Sequence, residues 1–293
     1  MKAIILAAGL GSRLRPLTDN TPKALIEVGG KPLLLHAAEK LIAAGVSDIV
    51  VNIHHHGNMI QEFIEQLEYP GVKFHISDET DELLDTGGAL KKAAPLLQGT
   101  APFFIYNADI LAGIDLKEML AKHQKEKPLA TLAVTRRQSS RFFLWNNGLL
   151  TGWINKRTGE QLWCRPGNAR NVETPLPPRS KTPLDSKSKQ SPGATGEKTT
   201  DSGCGDSMGA GNYEKASLSG TEELAFSGIH LADPALLRLI TETGRFSVKD
   251  LYLRLARHHR IIPYLHDHRF WADTGTPEKL KQAGAMLQHM PPP

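Results

Sequence analysis

The sequence predicts an α/β fold in which a mostly parallel sheet carries helices on both faces and a small hairpin extension. Short continuous apolar runs recur along the chain, and patterns typical of helices separate them. The first run, residues 2–8 (KAIILAA), ends directly at a glycine. Strands buried on both faces of a parallel sheet form such continuous runs. Alternation of strands and helices at this spacing is typical of α/β proteins, whose ligands lie at the carboxyl ends of the strands.

The first half of the chain alternates strands with helices. The predicted strands are residues 2–8, SDIVVNIHH from Ser47, GVKFHIS from Gly71, APFFIYNAD from Ala101 and LATLAVT from Leu129. The predicted helices cover residues 32–44, 57–68, 86–97 and 115–126. The loop after residue 8 and the segment 107–109 both follow the carboxyl ends of predicted strands, so we expect ligands there.

The second half begins with a predicted hairpin. In RFFLWNNGLLTGWIN, Asn146, Asn147 and Gly148 are the residue types that adopt the left-handed conformations of a tight turn. Farther on, ELAFSGIHL and RIIPYLHD are predicted strands, and residues 234–243, 247–259 and 277–288 are predicted helices.

Residues 165–221 differ from the rest of the chain. Pro, Ser, Thr, Lys and Gly dominate them, and apolar residues are too few for a core. We therefore predict a flexible surface insertion within a single domain spanning residues 1–293. Such a loop adds little closure entropy, since each doubling of its length costs only about 0.6 kcal/mol.

The composition excludes several classes of protein. A formal net charge of +4 over 293 residues, with both signs interspersed, gives no polybasic surface for nucleic acid. The two cysteines, Cys164 and Cys204, lack the spacing of a zinc site or a disulfide framework. No apolar stretch approaches the roughly 20 residues that cross a bilayer, so we expect a cytoplasmic protein without a membrane partner.

The opening loop is suited to an anion. A dinucleotide-binding G-x-G-x-x-G loop would need a third glycine where Leu14 stands, and no G-x-x-x-x-G-K-[ST] run occurs. The remaining interpretation is a loop whose backbone N–H groups surround phosphates while Arg13 and Lys23 neutralise them. Arginine offers a planar fork and lysine a compact charge, a combination suited to a polyphosphate.

The motifs along the chain resemble those of a known family. LAAGLGSRLRPLT followed by PKAL, DTGGAL at 85–90, YNADI at 106–110, AFSGIHL at 225–231 and WADTGTPEKL at 271–280 are similar to the signatures of sugar-1-phosphate nucleotidyltransferases. Within this family, the motifs most resemble those of the N-acetylmuramate alpha-1-phosphate uridylyltransferase subgroup. The resemblance implies a Rossmann-like nucleotidyltransferase fold and transfer of a nucleotidyl group, favoured from UTP to N-acetylmuramate 1-phosphate, with release of pyrophosphate.

The resemblance also implies roles for particular residues. Arg13 and Lys23 would be catalytic, because they would stabilise the charge that develops on the phosphates. The nucleotide would contact Ala8, Gly9, Gly11, Ser12, Arg13, Lys23, Thr86, Gly87 and Gly88. The sugar phosphate would contact Asn107, Ser227 and Gly228. Mg²⁺ would be held by Asp109 and Asp273. The partners would be a nucleoside triphosphate and a sugar 1-phosphate, and the protein a monomer or a small homo-oligomer.

Other interpretations stay open at this point. Within the family, the enzyme could be a guanylyltransferase for mannose or heptose 1-phosphate, or a cytidylyltransferase for a phosphorylated amino alcohol. Outside it, the fold could serve as a non-catalytic module that senses nucleotide sugars; a nicotinamide-dependent oxidoreductase is disfavoured by Leu14. Locally, the glycines could merely end a strand, Asp109 could cap a helix, Asp273 could form a turn and Lys23 could be a surface charge.

Overall fold

The computed structural model describes residues 1–164, 220–267 and 269–289. The insertion predicted at 165–221 lies outside the described residues except for its last two positions, so its flexibility stays a prediction. The part of the chain that is described forms one compact unit.

The strands and helices follow the predicted alternation. The strands are β1 (Lys2–Leu6), β2 (Glu27–Val28), β3 (Lys31–Pro32), β4 (Asp48–Ile53), β5 (Lys73–Asp78), β6 (Phe103–Asn107), β7 (Ile110–Ala112), β8 (Ala130–Thr135), β9 (Arg141–Asn146), β10 (Leu149–Asn155), β11 (Glu160–Trp163), β12 (Glu222–Ala232), β13 (Ile261–Leu265) and β14 (Trp271–Asp273). The helices are α1 (Leu33–Ala43), α2 (Gly57–Glu65), α3 (Asp85–Leu97), α4 (Leu116–Glu126), α5 (Ala235–Arg238), α6 (Val248–Leu255) and α7 (Pro277–Leu287).

The central sheet has a parallel half and an antiparallel half. Strands β5, β4, β1 and β6 lie side by side and are parallel. Next to β6 comes β12, which runs antiparallel to β6, β8 and β9. The hairpin β9–β10 with β11 continues from β9, and β13 runs parallel to β8. The predicted α/β class is confirmed, and the long strand β12 joins its two halves.

Residues of β1 contribute alternately to two cores. Ile4 belongs to the apolar cluster that includes Leu90 of α3, whereas Ala3 and Ile5 belong to the cluster that includes Leu34 of α1. All of these side chains have no exposed surface. Because successive side chains of a strand point to opposite faces, a continuous apolar run is what a sheet covered by helices on both faces requires.

Local signals set the ends of several elements. Asp115 caps α4 by accepting hydrogen bonds from the backbone N–H groups of Lys117 and Glu118, both at 2.9 Å. Asn147 and Gly148 turn the β9–β10 hairpin with φ angles of 49° and 71°. Asn146, predicted as a further turn position, is instead the last residue of β9.

The helix predicted over residues 234–243 is wrong, because only Ala235–Arg238 is helical. A side chain of α6 explains why the helix is shorter. The guanidinium of Arg254 donates to the carbonyl of Leu239 at 2.8 Å and to both carboxylate oxygens of Glu242 at 2.6 and 2.9 Å. Arg254 thus takes a carbonyl that a longer helix would use internally, and residues 239–243 continue as a loop. The helix predicted at 247–259 is α6, which is shorter at its carboxyl end.

A two-stranded ribbon brings the last part of the chain back to the sheet. Strand β14 pairs antiparallel with β7, with Asp273 opposite Ile110, and α7 follows at once. Among the described helices, none is long and apolar enough to span a membrane.

Candidate functional site

A cavity of about 270 Å³ opens at the carboxyl ends of β1, β4 and β6. The loops that follow these strands supply most of its wall, as expected for an α/β sheet. Its lining comprises Leu6, Ala7, Ala8, Gly9, Lys23, Ala24, Asn52, Glu79, Leu83, Asp85, Thr86, Asn107, Ala108, Asp109 and Arg245.

Within the opening loop, both the backbone conformation and the lack of space for a side chain require a glycine at position 11. Its φ of 62° lies in the left-handed region, and a Cβ at this position would lie 2.8 Å from Thr18 Cγ2 and 3.1 Å from Lys23 Cβ. The hydroxyl of Thr18 donates to the carbonyl of Gly11 at 2.9 Å. These contacts hold the loop against Lys23. By contrast, a Cβ on Gly9 would meet no atom within 4 Å, so Gly9 lines the cavity without a steric requirement for glycine.

Lys23 is directed into the site and is not a surface charge. Its ammonium group forms a short ion pair with Oδ2 of Asp109, and its side chain is only 11% exposed. Both residues line the cavity. Asp109 caps no helix of the described residues, since α4 starts at its own cap, Asp115.

The strand pairing brings the two predicted metal carboxylates together. Asp273 ends β14 opposite Ile110, the residue after Asp109. Thr274 then donates from its backbone N–H and from its hydroxyl to the carbonyl of Asp109, at 2.9 and 3.0 Å. The two aspartates thus lie next to each other on the β7–β14 ribbon and the loop before it, and their role as metal ligands stays a prediction.

Asp273 is surrounded by positive charge. Lys279 of α7 donates to its Oδ2 at 2.5 Å, and the backbone N–H of Gly275 donates to Oδ1 at 3.2 Å. Burial acts to raise the pKa of Asp273, but these two hydrogen bonds together with Lys23 hold that pKa below its usual value. Arg13 lies here as well: a Cβ on Gly275 would be 2.8 Å from Arg13 Nη2 and 3.1 Å from Asp273 Oδ1. Arg13 therefore lies beside Asp273 rather than in the lining of the cavity.

The predicted nucleoside turn packs mainly against another loop. The backbone N–H groups of Gly87 and Gly88 donate to the carbonyl of Phe246 at 2.9 and 3.3 Å, and Thr86 Oγ1 accepts from the N–H of Val248 at 3.0 Å. A Cβ on Gly87 would lie 2.4 Å from the Phe246 ring, and one on Gly88 would lie 2.6 Å from the Gly244 carbonyl. Close packing thus explains both glycines, and of the three turn residues only Thr86 lines the cavity.

The predicted sugar-phosphate residues meet at a bulge in β12. Gly228 has a φ of 78°, and a Cβ there would lie 3.1 Å from Asn107 Nδ2. Ser227 is fully buried; its hydroxyl lies 2.7 Å from His266 Nε2, and its carbonyl accepts from the Trp271 indole at 2.9 Å. Asn107 lines the cavity, whereas Ser227 and Gly228 support the wall behind it.

A buried polar pair that the sequence analysis missed supports the opening loop. Asn52 Oδ1 accepts from the N–H of Ala7 at 2.6 Å, and Asn52 Nδ2 donates to Glu79 Oε1 at 2.8 Å. Glu79 has no exposed surface; burial raises its pKa despite hydrogen bonds from Asn52 and from the N–H of Leu84. The available signal was Asn52, a polar residue that interrupts the apolar run of β4 after Asp48.

Arg245 is the other residue that was missed. It lies in the loop between α5 and α6 and lines the cavity together with Asp85 and Thr86. The loop is held by the bonds to Phe246 described above and by the N–H of Phe246, which donates to the carbonyl of Leu84 at 3.2 Å. No local pattern indicates this role, because it depends on the contact between two distant loops.

Comparisons with known proteins agree with the motifs. Residues 2–143 match the nucleotidyl transferase family model. Over 138 residues, 46% of this chain, the sequence is 39% identical to a mannose-1-phosphate guanyltransferase of Gibberella zeae, of which the match covers 38%. Over 109 residues, 36% of this chain, it is 45% identical to an N-acetylmuramate alpha-1-phosphate uridylyltransferase of Caulobacter vibrioides, of which the match covers 45%. The chain thus spans less than half the length of these relatives.

Solved structures share the fold over nearly the whole chain. HddC from Yersinia pseudotuberculosis complexed with GMP-PN has a TM-score of 0.64 at 17% identity, and the match covers 98% of this chain and 99% of that one. The inositol-1-phosphate CTP transferase from T. maritima has a TM-score of 0.65 at 14% identity, with 99% and 95% covered.

Proposed function

We propose that the chain transfers a nucleotidyl group from a nucleoside triphosphate to a sugar 1-phosphate and releases pyrophosphate, starting from the match of residues 2–143 to the nucleotidyl transferase family model. The relatives named above act on sugar 1-phosphates, and the chain shares 39–45% identity with them over the matched segments.

The observation that carries the proposal is the ion pair of Lys23 with Asp109 in the wall of the cavity. It lies between the opening loop, which can bind phosphate through its backbone, and Asp273, which Thr274 ties to Asp109. Two anionic reactants repel each other, so a site that joins them needs fixed positive charge and groups that hold a cation. Here Lys23 would supply the positive charge, and Asp109 and Asp273 would hold the cation.

The donor set fits Mg²⁺. Among the described residues there is no group of three or more His, Cys, Asp or Glu side chains that could hold a metal by themselves. Mg²⁺ is commonly bound by one or two carboxylates, with substrate phosphates and water completing its octahedron. Asp109 and Asp273 are such a pair, and cationic side chains already lie against both carboxylates. When bound, the metal would neutralise phosphate charge and orient the reactants.

The residues of the chain would act by position and charge. Lys23 would stabilise the negative charge that develops on the transferring phosphoryl group, and Arg13, beside Asp273, would add to the positive field. Asn52 would hold the start of the phosphate loop through its bond to Ala7. The sugar 1-phosphate oxygen is itself the nucleophile, so no protein nucleophile is required.

For the substrates we favour UTP and N-acetylmuramate 1-phosphate. The 45% identity to the Caulobacter uridylyltransferase supports this pair. A second candidate is guanylyl transfer to mannose or heptose 1-phosphate, which the fungal guanyltransferases at 39% identity support.

A substrate panel tests the proposal. The purified chain is incubated with Mg²⁺, each of the four nucleoside triphosphates and several sugar 1-phosphates, and pyrophosphate release is measured. Release only with UTP and N-acetylmuramate 1-phosphate supports the favoured pair, and release only with GTP supports the second candidate. Tight nucleotide binding without pyrophosphate release for any acceptor would instead support a sensing module and contradict the proposed reaction.

A further inference from the structure

Each of the two site carboxylates has its own lysine. Lys23 pairs with Asp109, and Lys279 pairs with Asp273 at 2.5 Å. The two lysines come from distant parts of the chain, one from the turn after the opening loop and one from α7. Arg13 also lies beside Asp273, so the two negative charges are offset by positive side chains in this structure.

The start of α7 directs Lys279 back toward Asp273. Thr276 caps the helix by accepting from the N–H of Lys279 at 3.4 Å, and Pro277 occupies the first helical position. The Lys279 side chain is 45% exposed, whereas the Asp273 side chain is 25% exposed. The lysine can therefore swing into solvent while the carboxylate stays in the site.

A lysine and a divalent metal compete for the same carboxylate. Each of the Asp273 oxygens already accepts a hydrogen bond, one from Lys279 and one from the Gly275 N–H. A metal ion at Oδ2 would lie next to the ammonium group, and the two cations would repel each other. A free divalent ion therefore gains little from carboxylates whose negative charge is already offset by neighbouring cationic side chains. A nucleotide brings phosphate oxygens that can accept the displaced ammonium group.

We propose that Lys279 is a positioning residue that holds Asp273 until the nucleotide arrives, then exchanges this carboxylate for a phosphate oxygen, so that the metal enters the site together with the nucleotide. The inference rests on the proposed function and assigns a role to Lys279, a residue of the 271–280 motif that the sequence analysis left without one.

A merely structural role is the alternative. An ion pair that only stabilises the start of the helix would change metal affinity by the same factor without and with nucleotide, because its lysine would not move to a phosphate. The comparison of metal affinity without and with nucleotide therefore separates the two roles.

The test is a Mn²⁺ titration followed by electron paramagnetic resonance, with the full chain and without turnover. Wild type, Lys279→Met and Lys279→Arg are compared, with Lys281→Met as the matched control, since Lys281 is an exposed lysine of the same helix. Thermal unfolding shows that each variant is folded.

Without nucleotide, we expect Lys279→Met to bind Mn²⁺ about tenfold more tightly than wild type. Lys279→Arg and Lys281→Met should match wild type. With a non-hydrolysable UTP analogue, the difference in Mn²⁺ affinity between Lys279→Met and wild type should disappear or reverse. In this variant the nucleotide phosphate lacks the ammonium group that it would bind in wild type. Equal Mn²⁺ affinity of Lys279→Met and wild type without nucleotide overturns the inference.

The same samples separate this inference from the proposed function. Unchanged Mn²⁺ affinity with normal pyrophosphate release overturns the role of Lys279 and leaves the transferase intact. Tighter Mn²⁺ binding by Lys279→Met in a protein that releases no pyrophosphate supports the charge exchange and contradicts the reaction. Absence of Mn²⁺ binding in every sample overturns the inference together with the metal assignment.

Discussion

Thr274 donates two hydrogen bonds to the carbonyl of Asp109, one from its backbone N–H at 2.9 Å and one from its hydroxyl at 3.0 Å. These two hydrogen bonds to one carbonyl tie the residue after Asp273 to the loop after β6. The two carboxylates, far apart in sequence, are thereby held at one edge of the sheet, and four experiments on nearby and more distant residues follow from this arrangement.

Removal of the Asp109 carboxylate should abolish turnover. In Asp109→Ala, Lys23 loses its partner and the proposed metal loses one of its two protein ligands. We expect at least a 100-fold decrease in pyrophosphate release, the scale seen when a charge-stabilising group is removed from an active site. Asp250→Asn, an exposed carboxylate of α6 outside the cavity lining, is the control. Normal turnover in Asp109→Ala would refute the metal assignment.

Arg245 should contribute to nucleotide binding. It is an exposed cation that lines the cavity on a loop held by α3. Calorimetric titration with UTP should show about tenfold weaker binding by Arg245→Ala, equal to the loss of about 1.4 kcal/mol from a hydrogen bond to a charged group. Arg238→Ala, an exposed arginine of α5 that does not line the cavity, should bind as wild type does. Equal affinities in the two variants would exclude a contact between Arg245 and the nucleotide.

Gly87 should be required for stability as well as for the site. In Gly87→Ala the new methyl group would meet the Phe246 ring at 2.4 Å, so the loop that carries Arg245 must move. Overpacking of this kind costs about 1–3 kcal/mol, measurable by urea unfolding. Gly99→Ala is the control, because its Cβ would meet nothing within 4 Å. If the two variants unfold at the same urea concentration, the packing explanation for Gly87 is wrong.

Acid should destabilise the fold through buried histidines. His123 of α4 is 2% exposed, and burial, opposed by Asp233, lowers its pKa from 6.5 to about 4. Burial likewise lowers the pKa of His230 to about 3. Below pH 6.5 the unfolded chain binds a proton that the folded state excludes. The stability that the neutral His123 ring provides is therefore complete above pH 6.5 and is lost as the pH falls toward 4, by about 3 kcal/mol.

Urea unfolding between pH 7 and pH 4 measures this effect. His123→Gln, which cannot take up the proton, should reduce the decline of the unfolding free energy over that range. His289→Gln, at an exposed position, serves as the control. A slope unchanged by the loss of His123 would show that other groups cause the acid sensitivity.

Local sequence determined the alternation of strands and helices. The apolar run of β1 predicts a strand buried on both faces because its length and composition report burial directly. The Asn147–Gly148 turn was predicted because its chemistry acts within a few residues. The helix predicted at 234–243 failed where a distant side chain, Arg254, took the carbonyl of Leu239. Local propensity could not include that competitor.

For the site, the sequence by itself determined which charged residues are candidates: the motifs predicted Lys23, Asp109 and Asp273, and they placed Gly11 in the phosphate loop. Tertiary structure alone decided the partners. The β7–β14 pairing placed Asp273 beside Asp109, α7 brought Lys279 to Asp273, and the packing of Phe246 on Gly87 carried Arg245 to the cavity. The reason is physical: hydrophobic periodicity and turn chemistry act over a few residues, whereas an ion pair depends on the register of strands that meet only when the whole sheet has formed.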